Sequence, residues 1–142
     1  MTYQDFNTNL IKDLRANHGR ATSGPFAGRN VLILTTRGAR SGEVRENPLA
    51  YTRTGDDYVV IASKGGSPEH PGWFHNLVAN PEVVVEAGGE RFDAVARVAE
   101  GEEHDRLYAA QAAKMPAFAE YQLKTKRQIP VIVLRVAKAG SA

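Results

Sequence analysis

Two segments, Val31-Leu32-Ile33-Leu34 and Tyr58-Val59-Val60-Ile61-Ala62, are apolar at every position. A strand that meets water on one face alternates polar and apolar residues, so both of these must be covered on two faces. The other strand signals come in pairs joined by short turns. Asn47 to Arg53 reads as a strand turning at Thr54-Gly55-Asp56-Asp57, Glu82–Glu86 and Arg91–Val98 flank Gly88-Gly89, and Pro130–Val136 supplies a last apolar strand. Turns this short join antiparallel neighbours, whereas parallel strands need a crossover of a dozen or more residues. The chain should therefore be mainly β, with about six strands in an antiparallel barrel or sandwich and helices at its periphery.

Those helices can be placed. Phe6, Leu10 and Leu14 fall four apart in an N-terminal helix over about residues 4–17, which His18-Gly19 would end. Lys12 and Arg15 on the same helix open a second reading, contact with an anionic membrane surface. Pro71 to Ala79 carries the i,i+4 pairs Trp73/Leu77 and Phe74/Val78 and stops at Asn80-Pro81. Glu102 to Lys114 opens with acids, and Pro116 to about Leu123 sets Met115, Phe118 and Tyr121 three apart on one side. No repeat, linker or low-complexity tract divides residues 1–142, which read as one domain.

The chain contains no cysteine, which removes disulfides, thiolate nucleophiles, zinc-thiolate sites and iron–sulfur clusters. No apolar stretch approaches the roughly 20 residues of a membrane span, and the start lacks a signal peptide's basic-then-apolar pattern. A soluble, cytoplasmic protein is expected. A net charge of +2 gives no case for nucleic acid, but its distribution is uneven. Residues 1–45 hold seven bases and three acids, residues 82–105 hold two bases and eight acids, and after Glu120 there are five bases and no acid. Such a chain can turn a positive face toward an anionic small molecule.

Two loops offer that face. Thr35-Thr36-Arg37-Gly38-Ala39-Arg40-Ser41-Gly42 follows the first apolar run. Its glycines expose backbone N–H groups, Ser41 adds a hydroxyl, and Arg37, Arg40 and nearby Arg45 add guanidinium forks suited to phosphate or carboxylate. It is neither a Walker loop nor a dinucleotide fingerprint, since no Gly-Lys-Ser/Thr ends it and no helix pattern follows. Ser63-Lys64-Gly65-Gly66 repeats the arrangement after the second run, and Trp73, the sole tryptophan, lies seven residues beyond Gly66. An indole there serves either as core or as one wall of a pocket for a planar ring. His70 and His75 have no carboxylate at a ligand spacing, so no metal site is expected, and no Gly-x-Ser-x-Gly elbow is present. A barrel with two anion loops and an aromatic wall has what a phosphorylated planar cofactor needs.

The strings Val31 to Leu49, Ala62-Ser63-Lys64-Gly65-Gly66 and Pro71-Gly72-Trp73-Phe74-His75-Asn76-Leu77-Val78-Ala79-Asn80-Pro81 together resemble the deazaflavin-dependent nitroreductase family of actinobacteria. The resemblance runs from the N-terminal helix through Arg127-Gln128-Ile129-Pro130. It implies a split β-barrel, related to those that bind FMN, holding coenzyme F420, an 8-hydroxy-5-deazaflavin with a phosphodiester and a polyglutamate tail. Arg40, Ser41, Gly42 and Arg45 would then meet the phosphate and acidic tail, as would Lys64 beside Gly65 and Gly66. Pro48, Leu49, Ala62, Ser63, Trp73 and Asn76 would line the ring.

The activity implied is hydride transfer from the reduced deazaflavin to a small-molecule acceptor, namely a quinone, enone or nitroaromatic. The cofactor supplies the hard chemistry, so the protein's task is to stack ring against acceptor, exclude water and donate a hydrogen bond where charge develops. A nitroimidazole-reducing member of the family has three tyrosines on the helix over the substrate, where this chain has Met115, Phe118 and Tyr121. Tyr121, with Ser63, is the candidate at the reacting end, and quinones or enones suit this wall better than nitroimidazoles. An FMN-dependent reductase and a non-catalytic F420-binding protein are the alternatives. Split barrels also commonly pair, which gives a homodimer as the expected assembly.

Overall fold

The computed structural model describes residues 3–22, 24 and 27–136. The ends of the expected 1–142 span, residues 1–2 and 137–142, lie outside the described residues. In chain order the elements are α1 (Tyr3–Ala16), β1 (Val31–Arg37), β2 (Val44–Ala50), β3 (Thr52–Thr54), β4 (Asp57–Ile61), α2 (Gly72–Ala79), β5 (Glu82–Ala87), β6 (Glu90–Ala99), α3 (Gly101–Lys114), α4 (Ala117–Leu123) and β7 (Val131–Val136). A single 3₁₀ turn, Lys64–Gly66, lies between β4 and α2.

All seven strands form one antiparallel sheet in the order β2-β1-β5-β6-β7-β4-β3. Its two edges, β2 and β3, are joined in sequence by Tyr51 alone. In a flat sheet of seven strands those edges would lie about 29 Å apart, yet Ala50 and Thr52 are within about 7 Å along the chain. The sheet must therefore curl until its edges meet at that corner. Here the sequence reading needs one correction: the strand expected over Asn47 to Arg53 is two strands, making seven. Val44, Arg45 and Glu46 at the start of β2 are all exposed, so no alternation of polar and apolar residues marks them as strand.

Pleating divides the side chains into two sets. Leu32, Leu34, Val60, Val83, Val85, Ala94, Ala96, Ile132 and Leu134 fill the inside of the curl with Trp73 and Leu77 of α2. On the outside, Val59, Ile61, Val131 and Val133 meet Leu107 of α3 and Phe118 of α4. Val31 and Ile33 carry Leu10, Ile11 and Leu14 of α1. Both uninterrupted apolar runs are covered on two faces as expected, with Val31–Leu34 no more than 2% exposed. Each large side chain fully buried in this way contributes roughly 1.5–3 kcal/mol.

The same packing corrects the membrane reading of α1. Its apolar stripe is turned onto β1 and is not available to a bilayer, and no described helix is long and apolar enough to cross one. Arg15 reaches the other way, pairing with Glu46 of β2 and, at 2.7 Å, with Glu86 of β5.

Candidate functional site

β1 and β2 pair in one register from Val31↔Ala50 to Arg37↔Val44, which leaves Gly38–Glu43 as their connection. The connection is closed by Gly38 N–H to Glu43 O at 2.7 Å, Gly42 N–H to Gly38 O at 3.0 Å, and Glu43 N–H to the Ser41 hydroxyl oxygen at 3.1 Å. Asn76 of α2 braces it from the side. Its Oδ1 accepts from Ala39 N–H at 3.1 Å and its Nδ2 donates to Thr36 Oγ1 at 3.2 Å. Arg40 is exposed, and Arg45 is held by Glu43 at 2.8 Å in a pair open to solvent.

The second loop runs from the end of β4 into α2. Ala62 N–H donates to Pro130 O at 2.9 Å, so the chain leaves the sheet at a fixed point. Gly66 N–H and Ser67 N–H then close on Ser63 O and Lys64 O at 2.9 and 3.2 Å. Lys64 has φ 46, the left-handed region. Non-glycine residues there cost of order 1–3 kcal/mol and concentrate at functional sites. From the far side of the loop the Arg127 guanidinium donates to Ala62 O (3.2 Å), Ser63 O (2.7 Å) and Ser67 O (2.8 Å), and to His70 Nδ1 at 2.9 Å. Burial, helped by the Arg127 and His75 charges, holds His70 below the usual imidazole range, in keeping with a ring nitrogen that accepts from a cation.

Both loops open onto the same cleft, a volume of ≈ 1750 Å³ also walled by β2, α2 and α4. That exceeds the roughly 300–1,000 Å³ of a pocket for one drug-sized molecule, so its volume suffices for a ring together with a tail. Among the charged side chains lining it, Arg29, Arg40, Arg45 and Lys64 are cationic, and Glu46 is the one carboxylate, already held by Arg15. The apolar part comes from Pro48, Leu49, Ile61, Trp73, Met115, Phe118 and others. Pro48 suits β2 because an edge strand can spare an N–H. Phe118 and Tyr121 meet edge to face at 5.3 Å, and Tyr108 OH donates to Phe118 O, fixing the first turn of α4.

Of the residues expected from sequence, Arg40, Ser41, Arg45, Pro48, Leu49, Ser63, Lys64, Trp73, Asn76 and Tyr121 line this one cleft. Trp73 satisfies both readings of a lone indole, since it is 6% exposed in the barrel core and also walls the cleft. Ser63 is buried, and its hydroxyl has no hydrogen-bond partner among the described residues. Three other residues expected at the site are placed differently. Ala62 packs wholly inside the barrel, Gly42 lies in the exposed turn beyond the lining, and Gly66 serves close packing. At Gly66 (φ +83) a Cβ would lie 2.8 Å from Tyr121 O. Gly65 sits in the same 3₁₀ turn. Sequence reasoning missed Arg29, His75 and Pro116 in the lining and Arg127 beneath the second loop. The basic bias of residues 1–45 was a signal for Arg29, but no local pattern pointed to Arg127.

Comparison with known proteins bears on what this cleft holds. Residues 9–136 match the F420H(2)-dependent quinone reductase family. An F420H(2)-dependent quinone reductase of Mycobacterium tuberculosis is 42% identical over 108 residues, which cover 72% of this chain and 71% of the relative. The solved structure of an F420-H2 dependent reductase, FDR-A, aligns with TM-score 0.70 at 42% identity, over 75% of this chain and 95% of that one. Another solved chain, described as a domain-swapped dimer, aligns with TM-score 0.72 at 35% identity, over 94% of this chain and 100% of that one. The curled seven-stranded sheet is the split barrel expected from sequence. The family takes its name from quinones, which corrects the nitroreductase label that the sequence motifs suggested. From a match spanning most of the chain, and relatives that share both fold and sequence, the chain belongs to the F420H(2)-dependent quinone reductase family.

Proposed function

We propose that this protein is an oxidoreductase that uses reduced coenzyme F420 to reduce quinone-type acceptors. The observation that carries the reading is convergence: two cation-bearing loops that follow different strands, an indole and the α4 wall all border one cleft. The residues present fit the cofactor. A long anionic molecule with a flat ring meets four cations, one engaged carboxylate, an unpartnered Ser63 hydroxyl and an apolar wall. Arg40, Ser41, Arg45 and Lys64 would hold its phosphate and acidic tail, while Pro48, Leu49, Ser63 and Trp73 would hold its ring. When bound and reduced, the deazaflavin supplies a hydride.

The chain's own residues do the rest. Met115, Phe118 and Tyr121 present an apolar, aromatic face on which a flat acceptor can stack and from which water is displaced. The Tyr121 hydroxyl has no hydrogen-bond partner among the described residues, so it is available to donate where negative charge gathers on a quinone oxygen. Nitroaromatics and enones are secondary candidates for the same face. Two copies of the chain are proposed to pair, which the domain-swapped relative supports and sedimentation would test.

The deciding experiment is a turnover screen of quinones, enones and nitroaromatics with reduced F420, run beside an FMN control. Steady oxidation of reduced F420 by menadione is expected. Binding without turnover would leave a carrier protein, and turnover with FMN alone would replace the cofactor. Lys64→Ala and Arg40→Ala should each weaken F420 binding by roughly 1–3 kcal/mol, the scale of a hydrogen bond to a charged group. Unchanged affinity in both variants would show that the loops do not grip the tail.

A further inference from the structure

Arg127 does not line the cleft, yet it is tied to more of the second loop than any other described side chain. Residues 62–71 cross from β4 to α2 outside the sheet, so their carbonyls have no ladder partners. Both Ala62 and Ser63 are buried; Ser63 O also accepts from Gly66 N–H, whereas Ala62 O sits where an unpaired acceptor is costly. The guanidinium, with five N–H donors in a rigid fork, satisfies both of them together with Ser67 O and His70 Nδ1.

Two consequences follow for the loop's other side. With three carbonyls drawn to one cation and the Gly66 and Ser67 N–H groups closed within the turn, the segment is left to present the Ser63 hydroxyl and the Lys64 ammonium, both of which line the cleft. All four Arg127 partners are also neutral, and no described carboxylate pairs with it, so its positive charge remains uncancelled under the loop. The same residue reaches α4. Gln122 Nε2 donates to Arg127 O at 2.8 Å, and Gln122 Oε1 accepts from Ile129 N–H at 3.0 Å.

We propose that Arg127 is a positioning residue that pre-forms the Ala62–Ser67 loop as an anion receptor and locks it to the α4 wall, without touching the ligand. This deepens the reading given under Proposed function and rests on it for the identity of the ligand. Arg127→Gln and Arg127→Lys separate the fork from the charge, because lysine keeps the charge but cannot span four acceptors.

The test combines amide hydrogen exchange on the protein alone with F420 titration followed by Trp73 fluorescence. In both variants, exchange at Gly66 and Ser67 should accelerate at least tenfold while β1 and β5 stay protected. The dissociation constant for F420 should rise at least tenfold, with kcat at saturating cofactor changed less than threefold. A folded Arg127→Gln with wild-type exchange or wild-type affinity overturns the proposal, and so does an Arg127→Lys that behaves as wild type. If neither variant folds, the wild-type protein decides it. A slowly exchanging Arg127 Nε–H and an unprotonated His70 Nδ1 are expected by NMR, and a fast-exchanging Nε–H overturns the proposal. Failure of the wild type to bind F420 would instead remove the functional reading and leave the exchange result standing.

Discussion

Replacing Gly66 by alanine tests whether the second loop and α4 are packed at a fixed separation. At Gly66, φ is +83, and an added Cβ would lie 2.8 Å from Tyr121 O, 3.2 Å from Tyr121 Cα and 3.0 Å from Lys124 Cβ. The left-handed conformation alone costs an alanine about 1–2 kcal/mol. The clash adds about 1–3 kcal/mol, as for other overpacked positions, because two of the three obstructing atoms are backbone and cannot rotate away. The total is about 2–5 kcal/mol. Gly55→Ala is the control. Its φ is +58, but no atom lies within 4 Å of an added Cβ, so it should lose only the conformational part. Both variants gain the same amount from a stiffer unfolded chain, which therefore cancels in the comparison. Urea unfolding of the two proteins gives the difference directly, provided their m-values agree. A gap of about 1–3 kcal/mol is expected from the steric contribution. Equal losses would mean that α4 shifts aside freely, and the picture of a loop locked to the Tyr121 wall would be wrong.

Tyr121→Phe should leave F420 affinity unchanged and lower kcat with a quinone by about 10–100-fold, in the range of losing one donor to developing charge; unchanged kcat would exclude the hydroxyl from that role. For His70, whose proton affinity in the folded protein is below its ordinary value near 6.5, the unfolded chain binds more protons in that region. Stability is therefore fully present above about pH 6.5 and declines as pH falls through the lowered value. Thermal midpoints measured from pH 7.5 to 5 should drop less in His70→Gln than in wild type, and parallel curves would refute this. At lower pH, Arg15 holds the Glu86 carboxyl below its usual range, so its contribution is present above the ordinary carboxylate value and is lost as pH falls further. Arg15→Ala should flatten that acid limb and cost no more than about 1 kcal/mol at neutral pH, because the pair is partly exposed. A variant with an unchanged acid limb would show that the pair is not formed in solution.

What the sequence made legible was whatever local pattern controls. Val31–Leu34 and Tyr58–Ala62 announced strands covered on both faces because nothing in them could face water. Pro71 and Asn80-Pro81 bracketed α2 because proline cannot continue a helix ladder, and α2 indeed runs Gly72–Ala79. Both anion loops were visible as glycine and base at the ends of those strands. The corner at which the barrel closes was not visible. The break at Tyr51 depends on where the seventh strand lands, which no window around residue 51 records. Nor was the grip of Arg127 on Ala62 and Ser63, 65 and 64 residues away, since a single arginine near the end of a chain looks like surface charge. Ala62 was placed beside the ring by the family resemblance, and a resemblance does not record that its side chain packs inside the barrel.

The one-residue corner at Tyr51 also bears on how this protein avoids sticking to itself. Seven paired strands would ordinarily end in two unsatisfied ladders, and such rims recruit neighbours into aggregates. Here a three-residue β3 forms one rim and a proline-bearing β2 the other, and the chain brings them to a common seam. A protease cut or circular permutation between Ala50 and Thr52 would release both rims together. The sheet would be free to flatten, and aggregation should follow before any loss of the helices.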